Sequence, residues 1–151
     1  MAKRRINHSN LQFNTANFDF SEFTEFTKEF GVKTKNFKSW IRRWCLNKAK
    51  VVLDEAKERT PIDTGNLLAS WNDPIIYING NQLEIVFSNN AEYAGWVEYG
   101  HATPFHAGES PGGEHWVEGR FMLTVPLQDF VNDFAKDFED GVFDYLIRNY
   151  S

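Results

Sequence analysis

A single cysteine, Cys45, in 151 residues leaves no partner for an intrachain disulfide and no thiolate set for a multi-cysteine zinc cage. That scarcity suits assembly in a reducing cytosol. Long hydrophobic runs are equally missing. Nothing approaches the roughly 20 apolar residues that a membrane-spanning helix requires, so a soluble chain without a membrane partner is expected. Lys3, Arg4 and Arg5 are followed by Asn, His and Ser rather than an apolar stretch, which argues against a secretory signal. There is no Gly-x-Gly-x-x-Gly and no phosphate-binding loop, so no nucleotide cofactor is expected. Ser70 and Ser110 lie outside any nucleophile-elbow sequence, and Cys45 sits within an apolar helical pattern, where it reads as a packing residue. These absences remove covalent catalysis from consideration and leave no cofactor to expect.

Aromatics are abundant instead. Fourteen Phe and five Trp bring the aromatic share to 16%, above ordinary usage, while the hydrophobic share of 42% and charged share of 25% are those of a globular protein. A chain this long buries roughly 70% of its unfolded surface, enough for one core. Part of the aromatic surplus is therefore free to serve subunit contacts. The net charge of −5 hides an asymmetry. Residues 1–59 hold 13 Lys/Arg against 7 Asp/Glu, a net of +6, whereas residues 60–151 hold 3 against 14, a net of −11. Two solvated faces of one domain would give this pattern. So would subunits that meet basic face to acidic face, and such a head-to-tail contact closes into a ring.

Residues 1–17 read as a flexible polar N-terminal arm, and 18–151 as a single α+β domain. Phe23, Phe26 and Phe30 recur at helical intervals, so a short helix is expected from Phe20 to Phe30. Asp19 and Glu22 have capping-box spacing, and Gly31 ends the helix. From about Lys35 to Arg59 the period predicts the main core helix, with Phe37, Trp40, Ile41, Trp44, Val51 and Val52 on its apolar face. Ile75–Ile78 and Leu83–Phe87, joined by Asn79, Gly80 and Asn81, predict a β-hairpin. Tyr93 to Tyr99 reads as a short helix or turn, His101 to His115 as a mobile glycine-rich loop, and Trp116 to Leu123 as extended. A final helix begins near Thr124 or Pro126. In it Leu127, Phe130, Val131, Phe134, Phe138, Val142, Tyr145 and Leu146 face the core, and Asp129, Asp133, Asp137, Asp140 and Asp144 face water. The expected architecture is a small antiparallel sheet packed against a long helix from the N-terminal half and a C-terminal helix.

Three ordered segments carry more specific information: Thr60-Pro-Ile-Asp-Thr-Gly-Asn-Leu-Leu-Ala-Ser-Trp71, Asn89-Asn-Ala-Glu-Tyr-Ala-Gly-Trp-Val-Glu-Tyr-Gly-His101 and Trp116-Val-Glu-Gly-Arg-Phe-Met-Leu123. In order and spacing, the set resembles the tail-component family of long-tailed bacteriophages, which includes tail-completion and head-to-tail joining proteins. The resemblance covers roughly residues 36–148, and the Phe-rich extension before Asn36 departs from it. It implies a non-enzymatic structural subunit of the virion neck or upper tail, assembled in the host cytoplasm. The expected partners are copies of itself in a six-fold ring, the head-tail connector, and the tail tube or its terminator. A tail terminator capping the tube is the nearest alternative.

Physically, Thr60, Pro61, Asp63, Thr64 and Gly65 read as the turn that sets the angle between helix and sheet. Pro61 stops the helix, Asp63 offers a carboxylate to nearby amides, and Gly65 accepts a positive φ. Gly95 and Gly100 suit close backbone approach. The aromatic and polar residues Tyr93, Trp96, Glu98, Tyr99 and His101 form one group of assembly candidates. Phe105, His106, His115, Trp116 and Arg120 extend it through the loop.

A different chemistry competes for the same loop. Glu98, His101, His106, Glu109, Glu114 and His115 are residue types that bind zinc or transfer protons, which would suit a metal-binding hydrolase. Their spacing matches no helical His-Glu-x-x-His pattern, and a glycine-rich loop offers little rigid support, so no metal or catalytic residue is assigned. The basic residues Lys3, Arg4 and Arg5 and the stretch from Lys33 to Lys50 suit incidental contact with DNA in a neck channel. An acidic lining would instead let DNA slide.

Overall fold

A computed structural model describes residues 10–103 and 115–150 of the chain. In chain order the elements are β1 (Leu11–Asn14), β2 (Phe18–Asp19), α1 (Ser21–Glu29), α2 (Thr34–Glu58), α3 (Asn66–Ala69), β3 (Ile75–Asn79), β4 (Gln82–Asn89), α4 (Ala94–Tyr99), β5 (Gly100–Thr103), β6 (His115–Glu118) and α5 (Thr124–Tyr150). The architecture is α+β: a small antiparallel sheet with the two long helices α2 and α5.

The hairpin forms where the alternation predicts it. Asn79 pairs with Gln82 across the two-residue loop Gly80–Asn81, and Gly80 takes a φ of 59°, the positive value that a two-residue hairpin asks of its first loop residue. Strand β4 is the spine of the sheet. β3 lies on one side, while β1 and β2 share the other side at opposite ends of β4. Between them, Thr15–Asn17 face only Glu84 and Ile85, one residue too many, so the strand bulges. Thr15 holds the bulge by donating its amide to the Ile85 carbonyl and accepting the Ile85 amide on its hydroxyl, both at 2.9 Å.

The expected flexible arm to residue 17 is thereby corrected at the end that joins the domain. Leu11–Asn14 is a sheet strand, and Leu11 is buried. Its partner strand lies more than 70 residues on, so no local pattern announces it. Residues 1–9 lie outside the described residues.

The Phe-rich segment becomes core. Phe20 is fully buried, and Phe18 and Phe23 meet the Phe138 ring edge-on at 5.1 Å. Helix α1 ends as expected at Gly31: with φ at 81°, Gly31 donates to the Lys28 carbonyl and Val32 to the Thr27 carbonyl. Its start differs from the expected capping box. The cap residue is Phe20, and Asp19 accepts the Ser21 amide at 2.9 Å, which holds the Asp19 carboxyl below its ordinary value.

Helix α2 buries Phe37, Ile41, Cys45, Ala49, Val52, Leu53 and Ala56. Val51, expected inward, is 56% exposed, because the core face drifts around a 25-residue helix. Burial pushes the Cys45 thiol up to about 12, so it stays protonated and inert near neutral pH. Helix α5 places its five predicted aspartates outward and buries Leu127, Phe138, Val142 and Leu146, but Val131 is exposed.

The two long helices meet at Gly141. A Cβ there would lie 2.8 Å from Nε1 of Trp44 and 3.3 Å from the Trp40 ring. Those indoles are stacked on each other and wedged against Phe138, leaving little room to yield. Gly141→Ala should therefore lower stability by about 1–2 kcal/mol, even though the exchange favours a bare helix by about 1 kcal/mol. Denaturant unfolding checks the sign, and a stabilised variant would show that the rings move aside.

Candidate functional site

The first motif folds into the joint between α2 and the sheet. Thr60, 5% exposed, donates its hydroxyl to the Ala56 carbonyl at 2.7 Å and accepts the Trp71 indole N–H at 2.9 Å. The two ends of the motif are thus tied by a buried side-chain bond. Between them Gly65 takes a φ of 83° ahead of α3. The turn's side-chain acceptor is the Thr64 hydroxyl, which takes the Asn66 amide at 3.4 Å, rather than the expected Asp63 carboxylate, which lies exposed.

The second motif packs directly on the first. Asn89 is fully buried, donating its amide to the Leu67 carbonyl and accepting the Ala91 N–H, both at 2.9 Å. Trp71 bridges Asn89 in the backbone. Asn89 does more for this joint than any residue singled out in its segment, and the signal available was its place at the head of the second motif. Tyr93, 39% exposed, brings its hydroxyl within 3.5 Å of the Asn66 side-chain amide. Together Pro61, Asp63–Leu67, Tyr93 and Val97 frame an open depression of about 590 Å³.

Glu98 is the clearest departure from expectation. It is fully buried and accepts the Leu123 amide at 2.8 Å and the Thr124 amide at 2.9 Å. These are N–H groups at the start of α5, which have no carbonyl partner in their own helix, and they mark the positive end of its dipole. Glu98 is therefore an internal cap joining the second motif to the third. Its carboxylate is enclosed and engaged, so the expected assembly candidate Glu98 is not at the surface of the subunit. Pro126, in the first turn of α5, needs no N–H partner and fits there without loss.

The third motif closes over the second. β5 and β6 pair in antiparallel register from Gly100–Glu118 to Thr103–His115, so the ends of the expected loop are a hairpin. The extended stretch expected to Leu123 stops at Glu118. Arg120 donates its amide to Val97 at 2.7 Å, and Phe121 donates to Glu98 at 3.1 Å. Gly100 confirms the close approach: a Cβ there would lie 2.6 Å from the Val117 carbonyl oxygen and 2.8 Å from the Trp116 ring. Gly119, which the sequence reading passed over, is tighter still.

Among the assembly candidates, Tyr99 (42%) and Trp116 (55%) are exposed, as is Arg120, and Val117 and Phe121 add exposed apolar surface nearby. Trp96 stacks on His101 with ring centres 5.3 Å apart, and His101 Nδ1 is shielded from water without a hydrogen-bond partner among the described residues. Phe105, His106, Glu109 and Glu114 lie outside the described residues, and of His115 only the backbone pairing is described. Among the described residues no three His, Cys, Asp or Glu side chains are grouped to hold a metal, and no helix is long and apolar enough to cross a membrane.

Residues 24–100 match the family described as "Bacteriophage HK97-gp10, putative tail-component". That span contains the first motif and nearly all of the second, while β6 and α5 lie beyond it. No curated protein and no solved structure matches the chain.

Proposed function

The chain belongs to the HK97-gp10-like family of phage tail components, and from that premise we propose that it completes the tail and joins it to the head by assembling into a ring. A tail component is a structural part of the virion. The finer assignment is a subunit at the neck or upper tail, with one ring face on the tail tube or its terminator and the other on the head-tail connector. Assembly takes place in the host cytoplasm before release.

The observation that supports the reading is the concentration of exposed rings around the joined second and third motifs. Tyr93, Tyr99, Trp116 and Phe121 are each 39–55% exposed, yet their backbones are fixed by Glu98, the β5–β6 hairpin and the start of α5. Large rings on a rigid support are what a protein interface uses, because little conformational entropy is lost when they are covered. The mechanism is binding. Each subunit covers aromatic and charged surface of its neighbours, and the assembled ring fits between two other rings.

Deleting the gene from its phage tests this directly. Electron microscopy of the lysate should show DNA-filled heads beside finished tails of normal length that do not join. Tails of abnormal length would instead assign the protein to capping the tube. Normal infectious particles would overturn a structural role at the junction.

A further inference from the structure

The first twenty residues of α2, 34–53, carry six cations and no acidic residue. They stand where a helix favours the opposite sign. Lys33 is the cap residue, no side chain caps that end, and the first turn holds no acid to answer the positive pole of the helix dipole. Lys35, Lys38 and Arg42 follow i, i+3, i+7 spacing and so share one side of the helix. With Thr34, Ser39 and Ile78 they line an open groove of about 470 Å³ between α2 and strand β3, which has no neighbour on its outer side among the described residues. Arg42 spends one donor on the Ile76 carbonyl at 2.9 Å, which fixes a cation at the groove wall. A concave, rigid, positively charged surface is thus left open to an anionic partner.

The chain also carries a surface of opposite sign. Asp129, Asp133, Asp137, Asp140 and Asp144 are all exposed on α5, and steps of four, four, three and four place them within about 80° of arc at 100° per residue. The described residues give only Asp144 an ion pair, with Arg148. Lys35 to Arg42 covers about 10 Å of α2 and Asp129 to Asp144 about 22 Å of α5, so the acidic stripe spans the groove. Neither stripe answers the other within one chain, because α5 turns its core side, at Gly141, toward Trp44 of α2.

We infer that the acidic stripe of α5 from one subunit docks in the basic groove beside α2 of the next, and that this contact propagates the ring. The inference rests on the ring reading above. Because the two surfaces differ, the contact is head-to-tail and repeats from subunit to subunit. A nucleic-acid phosphate backbone is the rival anion. It is disfavoured by the net charge of −5 and by the acidic stripe carried on the same subunit.

Two full-length variants test the contact: Lys35→Glu/Lys38→Glu/Arg42→Glu, and Asp133→Lys/Asp137→Lys/Asp140→Lys. Circular dichroism confirms that each is folded, and light scattering after size exclusion reads the assembly state at low and moderate salt. Each variant alone should associate about 100-fold more weakly than the unaltered chain, since attractions become repulsions at three positions. Mixed in equal amounts they should reassemble, as one contact pairs the two reversed surfaces and the other keeps the native pair, both of opposite charge. The six-fold substituted chain should self-assemble yet not mix with the unaltered protein. Variants that assemble as well as the unaltered chain would overturn this contact while leaving the ring reading intact. A mixture that stays dissociated would also overturn it. So would loss of duplex-DNA binding by the groove variant with its assembly unchanged, which would assign the groove to phosphate. An unaltered chain that is monomeric at every concentration would overturn contact and ring together, whereas normal virions from the gene deletion bear on the function alone.

Discussion

Glu98→Ala should destabilise the protein by about 3–5 kcal/mol, the largest loss expected from truncating any one side chain in the motif region. The substitution leaves the buried Leu123 amide and the part-buried Thr124 amide without their acceptor, and an unpaired buried N–H costs about 1–3 kcal/mol. A cavity adds to that, since Glu98 is fully enclosed. Glu98→Gln separates charge from shape. Its oxygen can stand at the Oε1 position and keep two bonds. Its amide group would then face the Leu123 N–H from the Oε2 position, 3.0 Å away, donor against donor. The loss should be intermediate, about 2 kcal/mol. Denaturant midpoints with an unchanged slope would measure both. Loss of hydrogen-exchange protection at Leu123 and Thr124 would locate the damage. An alanine variant within 1 kcal/mol of the parent would mean that α5 is anchored by its apolar face alone.

The same residue shows what a sequence reveals and what it withholds. Helices α2 and α5 announce themselves because their apolar residues repeat over 25 and 27 residues, and so does the β3–β4 hairpin, with its alternation and Gly80 turn. Their boundaries fall within one or two residues of those expected. Glu98, by contrast, stands next to exposed Tyr99 in a short segment of aromatic and small residues, where a carboxylate reads as a surface contact. Only the return of the chain 25 residues later, bringing the start of α5 against α4, encloses it. Strand β1 is hidden for a related reason. Four residues, of which two are polar, have no period long enough to detect, and their pairing is made with β4. Val51 and Val131 fail in the opposite direction. Hydrophobicity alone places them inward, but a straight helix rotates its core face along its length, and both fall beyond the rim of that face. The three motifs were legible as a set. That Asn89 and Glu98 fasten them to one another was not, because a buried polar residue looks like an exposed one until its partners are known.

Gly119→Ala should lower stability by about 3 kcal/mol, although it adds a single methyl group on a short link between β6 and α5. A Cβ at Gly119 would stand 2.5 Å from the Glu98 carbonyl oxygen, 2.7 Å from the Tyr99 carbonyl carbon and 2.9 Å from the Gly100 nitrogen. All three are backbone atoms, so no rotamer change makes room, and the link must back away from α4. Backing away stretches the bonds from Arg120 to Val97 and from Phe121 to Glu98, and carries the start of α5 off the Glu98 carboxylate. Gly65→Ala supplies the control. Its φ of 83° strains an alanine by about 1–2 kcal/mol, but a Cβ there meets nothing within 4 Å. The two variants should therefore differ in kind as well as size. Gly119→Ala should be strongly non-additive with Glu98→Ala, since both open one joint, whereas Gly65→Ala should add to Glu98→Ala within about 0.5 kcal/mol. A Gly119→Ala protein as stable as Gly65→Ala would show that the approach of β6 to α4 is loose. The exposed rings of Tyr99, Trp116 and Phe121 would then lack the rigid support that their role in assembly requires.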